Sequence, residues 1–140
     1  MKEIEEIQTG NVSRYCKPSH LQDGIVKYYA FLKRRNEESL SVHLLEFFQK
    51  ETELENVLEV KAYMKNYNFK RNGSFAVINI QKSKQYILEE ISSQIYYREE
   101  TLPHCGIFHD ADDILISRLL AECVQNNYLI KDITDSKNGN

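Results

Sequence analysis

The clearest hydrophobic pattern lies between Ile116 and Val124. Ile116, Leu119, Leu120 and Cys123 recur there at helical spacing with Val124 beside them, while Arg118, Glu122 and Gln125 fall elsewhere on the turn. Asp110 stands where a carboxylate caps a first turn, Asp112 and Asp113 place negative charge at the positive end of the helix dipole, and Asn126-Asn127 supplies a left-handed stop. These signals predict a helix over about 111–126. A second helix follows from the capping-box spacing of Thr52 and Glu55, with Leu54, Val57, Leu58 and Ala62 as its apolar face over about 53–65. Residues 83–92 fit a helix or a strand equally.

Strand patterns occupy much of the remainder. Val12–Cys16 reads as a short strand after a polar lead-in over residues 1–11. Val26–Lys33, rich in aromatic and branched residues, reads as a second strand, and Leu40–Val42 as a third before a short helix near His43–Gln49. Phe75–Ile80 is almost continuously apolar, which suits a central strand buried on both faces. Gln94–Arg98 is extended and placed to lie beside a strand at His104–Phe108, which Pro103 introduces. Turn signals at Gly10-Asn11, Gln22-Asp23-Gly24 and Asn72-Gly73 separate these pieces. The expectation is a single α+β domain over residues 12–131, a small mixed β-sheet with two or three packed helices, followed by a loose tail over 132–140.

Composition narrows the function. The chain has 140 residues, 41% apolar and 28% charged, which suits one folded domain with one core. A net charge of −3 with both signs interspersed argues against generic nucleic-acid binding, leaving only local basic patches such as Lys33-Arg34-Arg35. There is no membrane-length apolar run and no secretory pattern at the N-terminus, so a cytoplasmic protein is expected. Its three cysteines, Cys16, Cys105 and Cys123, are then expected as thiols.

Candidate chemistry gathers around these thiols and the histidines. Cys16 and His20, with His104, Cys105 and His109, would offer zinc ligands if the two segments met; as neighbours on a strand, 104 and 105 point to opposite faces, so no metal site is favoured. The same residues, with Asp110 to orient an imidazole, would make a Cys nucleophile activated by His. The bland alternative is that the cysteines are small core residues and that His109-Asp110 is a loop and a helix cap. Nine tyrosines against no tryptophan point to contact surfaces, with Arg14, Tyr15, Tyr28, Tyr29, Tyr96 and Tyr97 as interaction candidates. On strands, tyrosine is also ordinary half-buried sheet surface.

Two resemblances bear on these residues. Arg14 on the first strand, Ser41 in Leu40-Ser41-Val42 and a carboxylate such as Glu46 loosely resemble the Arg-Ser-Glu arrangement of ADP-ribosyltransferases, in which Arg holds the dinucleotide phosphates and Glu orients the ribose. That family's Gln/Glu-x-Glu loop has its spacing only at Glu51/Glu53 and Glu53/Glu55, on a predicted helix start. The segments Arg14–Ser19, Ala30-Phe31, Leu40–Val42 with Leu45-Glu46, Phe75–Asn79 and His104–Ile107 resemble a family of small bacterial proteins with no known activity, over about residues 12–125. That resemblance implies a prokaryotic cytosolic protein encoded beside larger partners, as in defence or mobile-element loci. The leading expectation is a noncatalytic interaction module or accessory subunit with a protein partner and no cofactor, with self-association left open. A small Cys/His enzyme or zinc protein, and an ADP-ribosyltransferase-like domain, are the alternatives.

Overall fold

The computed structural model describes residues 6–133. The strands are β1 (Glu6–Ile7), β2 (Asn11–Cys16), β3 (Leu21–Gln22), β4 (Ile25–Val26), β5 (Leu40–Leu44), β6 (Ser74–Asn79), β7 (Tyr96–Thr101), β8 (His104–Phe108) and β9 (Val124–Leu129). The helices are α1 (Glu53–Tyr63), α2 (Ile80–Ile91), α3 (Asp113–Glu122) and the single turn α4 (Ile130–Ile133). Short 3-10 turns occupy Pro18–His20, Tyr28–Phe31 and Leu45–Phe48. Seven strands form one sheet in the order β1-β7-β8-β5-β2-β6-β9, while β3 and β4 make a separate small ribbon. Every pairing is antiparallel, and the class is α+β as expected. Among the described residues, no helix is long and apolar enough to cross a membrane.

The apolar run at β6 is explained by cores on both faces of the sheet. Ala76 and Ile78 join a large core with Val12, Val42, Cys105 and Ile107 from the sheet and Ile87, Ile116 and Leu120 from α2 and α3. Phe75 and Val77 face the other way, into a smaller core with Leu45, Val57, Val60 and Ile130. The sheet period of two sends alternate residues to opposite sides, so both positions of the alternation must be apolar. On β5 and β8 only one face has this cover. Leu40, Val42, Cys105 and Ile107 are buried in the large core, and Ser41, His43 and His104 are left half-buried on the opposite side.

Several sequence expectations are corrected. Val26–Lys33 is not a strand: after β4 it coils into the 3-10 turn, burying Ala30 and Phe31 beneath α3. The carbonyl of Ala30, which a ladder would have used, accepts instead from Arg14 Nε at 2.5 Å. The segment at His43–Gln49 divides, with His43 on β5 and only Leu45–Phe48 helical, as a 3-10 turn. The third helix is capped by Asp112, whose Oδ2 accepts from Leu115 N at 2.9 Å, while Asp110 is exposed outside it. That helix ends at Glu122, and Asn126-Asn127 belongs to β9. Val124–Leu129 covers the open edge of β6, and its Asn126 and Tyr128 side chains both donate to Glu53 Oε1. The lead-in contributes β1, which pairs with β7. The ambiguous stretch 83–92 resolves as helix through Ile91 in α2, with Ser92 as its left-handed C-cap. The loose tail lies largely outside the described residues, although Asp132 and Ile133 belong to α4.

The Thr52–Glu55 capping box forms as expected, with each side chain accepting from the other's backbone N–H at 3.1 Å. The buried face of α1 keeps Val57 of the expected set and is otherwise turned round the helix. Asn56, Val57 and Val60 point inward, and Leu54 and Leu58 are turned out, 39% and 38% exposed. Asn56 Oδ1 accepts from Lys50 N at 3.0 Å, so the polar residue on the inward face is satisfied.

One polar contact is sealed in the large core. Tyr97 is fully buried, its hydroxyl 2.7 Å from Ser83 Oγ, which also donates to Ile80 O at 2.9 Å. Tyr97→Phe leaves Ser83 with its carbonyl partner and should cost about 1 kcal/mol, whereas Ser83→Ala strands the tyrosine hydroxyl and should cost about 1–3 kcal/mol. Urea unfolding of both variants checks this order.

Candidate functional site

The site begins where the sheet opens. β2 and β5 pair only at Val12↔Leu44 and Ser13↔His43. Beyond that point β2 runs on against β6 through Cys16, and β5 runs on against β8 through Leu40. The two strands therefore part at Arg14. An unpaired carbonyl inside a sheet is costly, and Arg14 supplies a donor: its Nη1 bonds Ser41 O at 2.7 Å while Nε holds Ala30 O. Burial lowers the Arg14 pKa from its ordinary value, with the neighbouring Arg34 adding to the effect. A guanidinium nevertheless stays cationic at neutral pH. The result is a fixed positive charge at the base of a gap.

The gap is a cavity of about 410 Å³, lined from β2 by Arg14 and Tyr15 and from β5 by Ser41 and His43. Lys17, His20, Tyr29, Arg34 and Tyr67 contribute from surrounding turns, and Glu37 is the carboxylate among the lining residues. The residues therefore combine cations with aromatic rings, a set that suits an anionic ligand carrying a planar group.

Ser41 belongs to a second arrangement. Its Oγ lies 2.5 Å from His104 Nε2 on the neighbouring β8, and His104 Nδ1 lies 3.3 Å from Glu100 Oε1 on β7. Cross-strand register makes this possible: Ser41 faces Gly106 and His43 faces His104, so a diagonal places hydroxyl and imidazole together. In the tautomer that carries its proton on Nδ1, the nitrogen nearer the Glu100 carboxylate, Nε2 is the imidazole acceptor and the Ser41 hydroxyl donates to it. Hydroxyl, imidazole and carboxylate in this sequence are the parts of a general-base chain. His43 sits beside it, its ring centre 5.6 Å from that of His104. Burial, then His104, then Arg14 hold its pKa down to about 4, so it is neutral at pH 7.

The cysteine candidates have a different setting. Cys16 and Cys105 are fully buried in the large core. Burial pushes their thiols up to about 11 and about 12, so neither is a thiolate at neutral pH. Cys123 is half-buried at the end of α3 and is raised to about 11 for the same reason. His20 lines the cleft and accepts from Lys17 N through Nδ1 at 3.1 Å. His109 and Asp110 follow the far end of β8, and His109 Nε2 lies 3.4 Å from Asp113 Oδ1. Among the described residues, no group of three or more His, Cys, Asp or Glu could hold a metal ion. Glu46 is drawn away from the cleft. Its carboxylate accepts from the Asn11 N–H at 2.8 Å and the Asn11 amide at 2.9 Å. This clamp packs against Gly10, at φ +112°, where an added Cβ would lie 2.9 Å from Glu46 Oε1. Of the interaction candidates, Arg14, Tyr15 and Tyr29 line the cleft, Tyr28 stacks under Arg118, Tyr96 is half-buried and Tyr97 is in the core.

Sequence reasoning named Arg14, Ser41 and His104 without joining the last two, and it missed Glu100 and His43 as site residues. Glu100 lies between the extended stretch Gln94–Arg98 and the break at Pro103 and carries no pattern of its own. Its meaning comes from the antiparallel turn between β7 and β8, which folds the carboxylate back over the imidazole. Compared with protein-family models, curated proteins and solved structures, the chain gives no match.

The depressed pKa of His43 fixes a sign for pH dependence. In the unfolded chain this imidazole titrates near the ordinary value of 6.5, and in the fold near 4. Between those values the unfolded state binds a proton that the folded state refuses, so stability falls as the pH drops. His20 and His109 are lowered too, mainly by burial, and add in the same direction. The urea midpoint should drop between pH 7 and pH 5, and His43→Gln should reduce that drop.

Proposed function

We propose that the chain is an enzyme of the ADP-ribosyltransferase kind, which binds a dinucleotide in the cleft between β2 and β5 and transfers its ADP-ribosyl group. The observation that carries this reading is the parting of those strands at Arg14, with Ser41 on the opposite lip joined to His104 and Glu100. Arg14 and Ser41 are two of the three residues whose types resemble that family's arrangement. The third role falls to Glu100 through His104 rather than to Glu46, which is held by Asn11.

In this reading Arg14, with Lys17 and Arg34, binds the diphosphate, and Tyr29 or Tyr67 offers a ring face to a base. The bond from ribose to nicotinamide breaks with its electron pair leaving on nicotinamide. The ribose carbon bonds to an acceptor oxygen, and the acceptor's proton passes through the Ser41 hydroxyl to His104 Nε2. Glu100 stabilises the imidazolium that results. The buried thiols take no part. Incubation with nicotinamide adenine dinucleotide should release nicotinamide, and His104→Ala should slow that release about 100-fold or more while the fold persists. Arg14→Lys should weaken dinucleotide binding about tenfold, because an ammonium cannot hold both main-chain carbonyls and also face a phosphate, with circular dichroism confirming that the variant remains folded. Wild-type protein that neither binds the dinucleotide in calorimetry nor releases nicotinamide would exclude this function.

A second reading, an interaction module or accessory subunit in the bacterial cytoplasm, is favoured by a separate observation. Leu54 and Leu58 border a concavity of about 910 Å³ with Phe69 and Ile133, and both leucines are more than a third exposed. The apolar floor of this concavity, bordered by Lys61, Lys65, Arg71 and Asp132, is suited to a protein contact. If copies of this chain pair there, sedimentation should show a concentration-dependent dimer that Leu58→Glu abolishes; a monomer at every concentration rules out that pairing.

A further inference from the structure

Another concavity, of about 780 Å³, continues the cleft and shares Tyr15, Lys17 and Tyr67 with it. Its other lining residues include Lys70 and Arg71, flanked by Asn68 and Asn72, and among the described residues no carboxylate. Together the described linings of the two hollows hold Arg14, Lys17, Arg34, Lys70 and Arg71 against the acid Glu37. The whole chain carries a net charge of −3, so this surface departs in sign from the rest of the molecule. Cations have been gathered here while acids predominate elsewhere.

The aromatic rings are held in place. Tyr67 is 42% exposed, yet its ring meets Tyr15 at 5.2 Å and Phe69 at 5.1 Å between centres. Tyr15 OH accepts from Lys70 N at 2.9 Å, which ties the basic loop to the tyrosine. Gly73 permits that approach: a Cβ there would stand 2.6 Å from Tyr15 Oη and 2.7 Å from Cys16 O. A fixed ring at the mouth of a cationic groove is a stacking platform, and the adjacent amides of Asn68 and Asn72 can read base edges.

We propose that this groove binds a single-stranded nucleic acid, whose hydroxyl is the acceptor presented to Ser41 and His104. A duplex keeps its bases stacked inside and its reacting atoms out of reach of a recessed site, whereas a single strand lays a phosphate on Lys70 or Arg71, a base on Tyr67 and the next nucleotide into the cleft. The local clustering of charge accounts for such binding in a protein too acidic for generic affinity. The identity of the transferred group rests on the dinucleotide reading; the binding of the strand does not.

The test is fluorescence anisotropy on the full chain, without dinucleotide, using labelled single-stranded DNA and RNA 12-mers, the corresponding duplexes and an acidic peptide. Single strands should bind at least tenfold more tightly than duplex or peptide. The double substitution Lys70→Glu/Arg71→Glu should lose about tenfold or more and reduce the logarithmic salt slope by roughly 1.4, two phosphate contacts at the single-strand value. Tyr67→Ala should lose about tenfold, with circular dichroism confirming that both variants remain folded. Equal binding of the acidic peptide, or strand binding indifferent to Tyr67→Ala, would reduce the groove to a general polyanion surface and overturn the proposal. Absence of strand binding with nicotinamide release intact overturns this inference alone. Strand binding without nicotinamide release overturns only the dinucleotide reading.

Discussion

The arrangement depends on two strands that stop pairing. β2 and β5 hold each other through Ser13↔His43 and then diverge, each still bonded to a neighbour on its other side. The sheet can open there because both halves remain anchored. Arg14 makes the opening tolerable, since its guanidinium donates to carbonyls on both the β5 lip and the 3-10 turn. Without those bonds, buried main-chain acceptors would be left dry, at a cost of about 1–3 kcal/mol each. One side chain therefore supports the gap and charges it.

The two cores hold the halves in place. The large core binds β7, β8 and β5 to α2 and α3, and the smaller one binds β6 and β9 to α1 and α4. β6 contributes to both, which is why it tolerates no polar position between Phe75 and Ile78. β5 and β8 contribute apolar residues to only one face, so their other face is free to carry Ser41, His43 and His104. The hydroxyl–imidazole–carboxylate chain thus stands on rigid strands, as a site requiring accurate geometry needs.

Much of this was legible in the residues. The β2 and β6 strands, the capping box of α1 and the apolar stripe of α3 follow from periodicity and local chemistry. What failed depended on partners far away in sequence. Val26–Lys33 has strand-forming residues but no free ladder, because Arg14 occupies the carbonyl of Ala30. Val124, Gln125 and Asn126 end a helical pattern on paper, yet they open a strand because β6 has an edge to cover. The site was half visible: Arg14, Ser41 and His104 stand out as residue types, but the diagonal between β5 and β8 is fixed by register, which hydrophobic pattern alone does not reveal. Glu100 was invisible for the same reason.

Arg14 grips the main chain at positions 30 and 41, not the side chains there. A carbonyl is present whatever amino acid occupies a site. The walls of the cleft are therefore specified by the course of the chain, and its furnishings are specified separately. Mutation can exchange the hydroxyl at 41 or the methyl at 30 for other small groups without unfastening the guanidinium. Such a scaffold is open to changes of chemistry that leave its architecture standing.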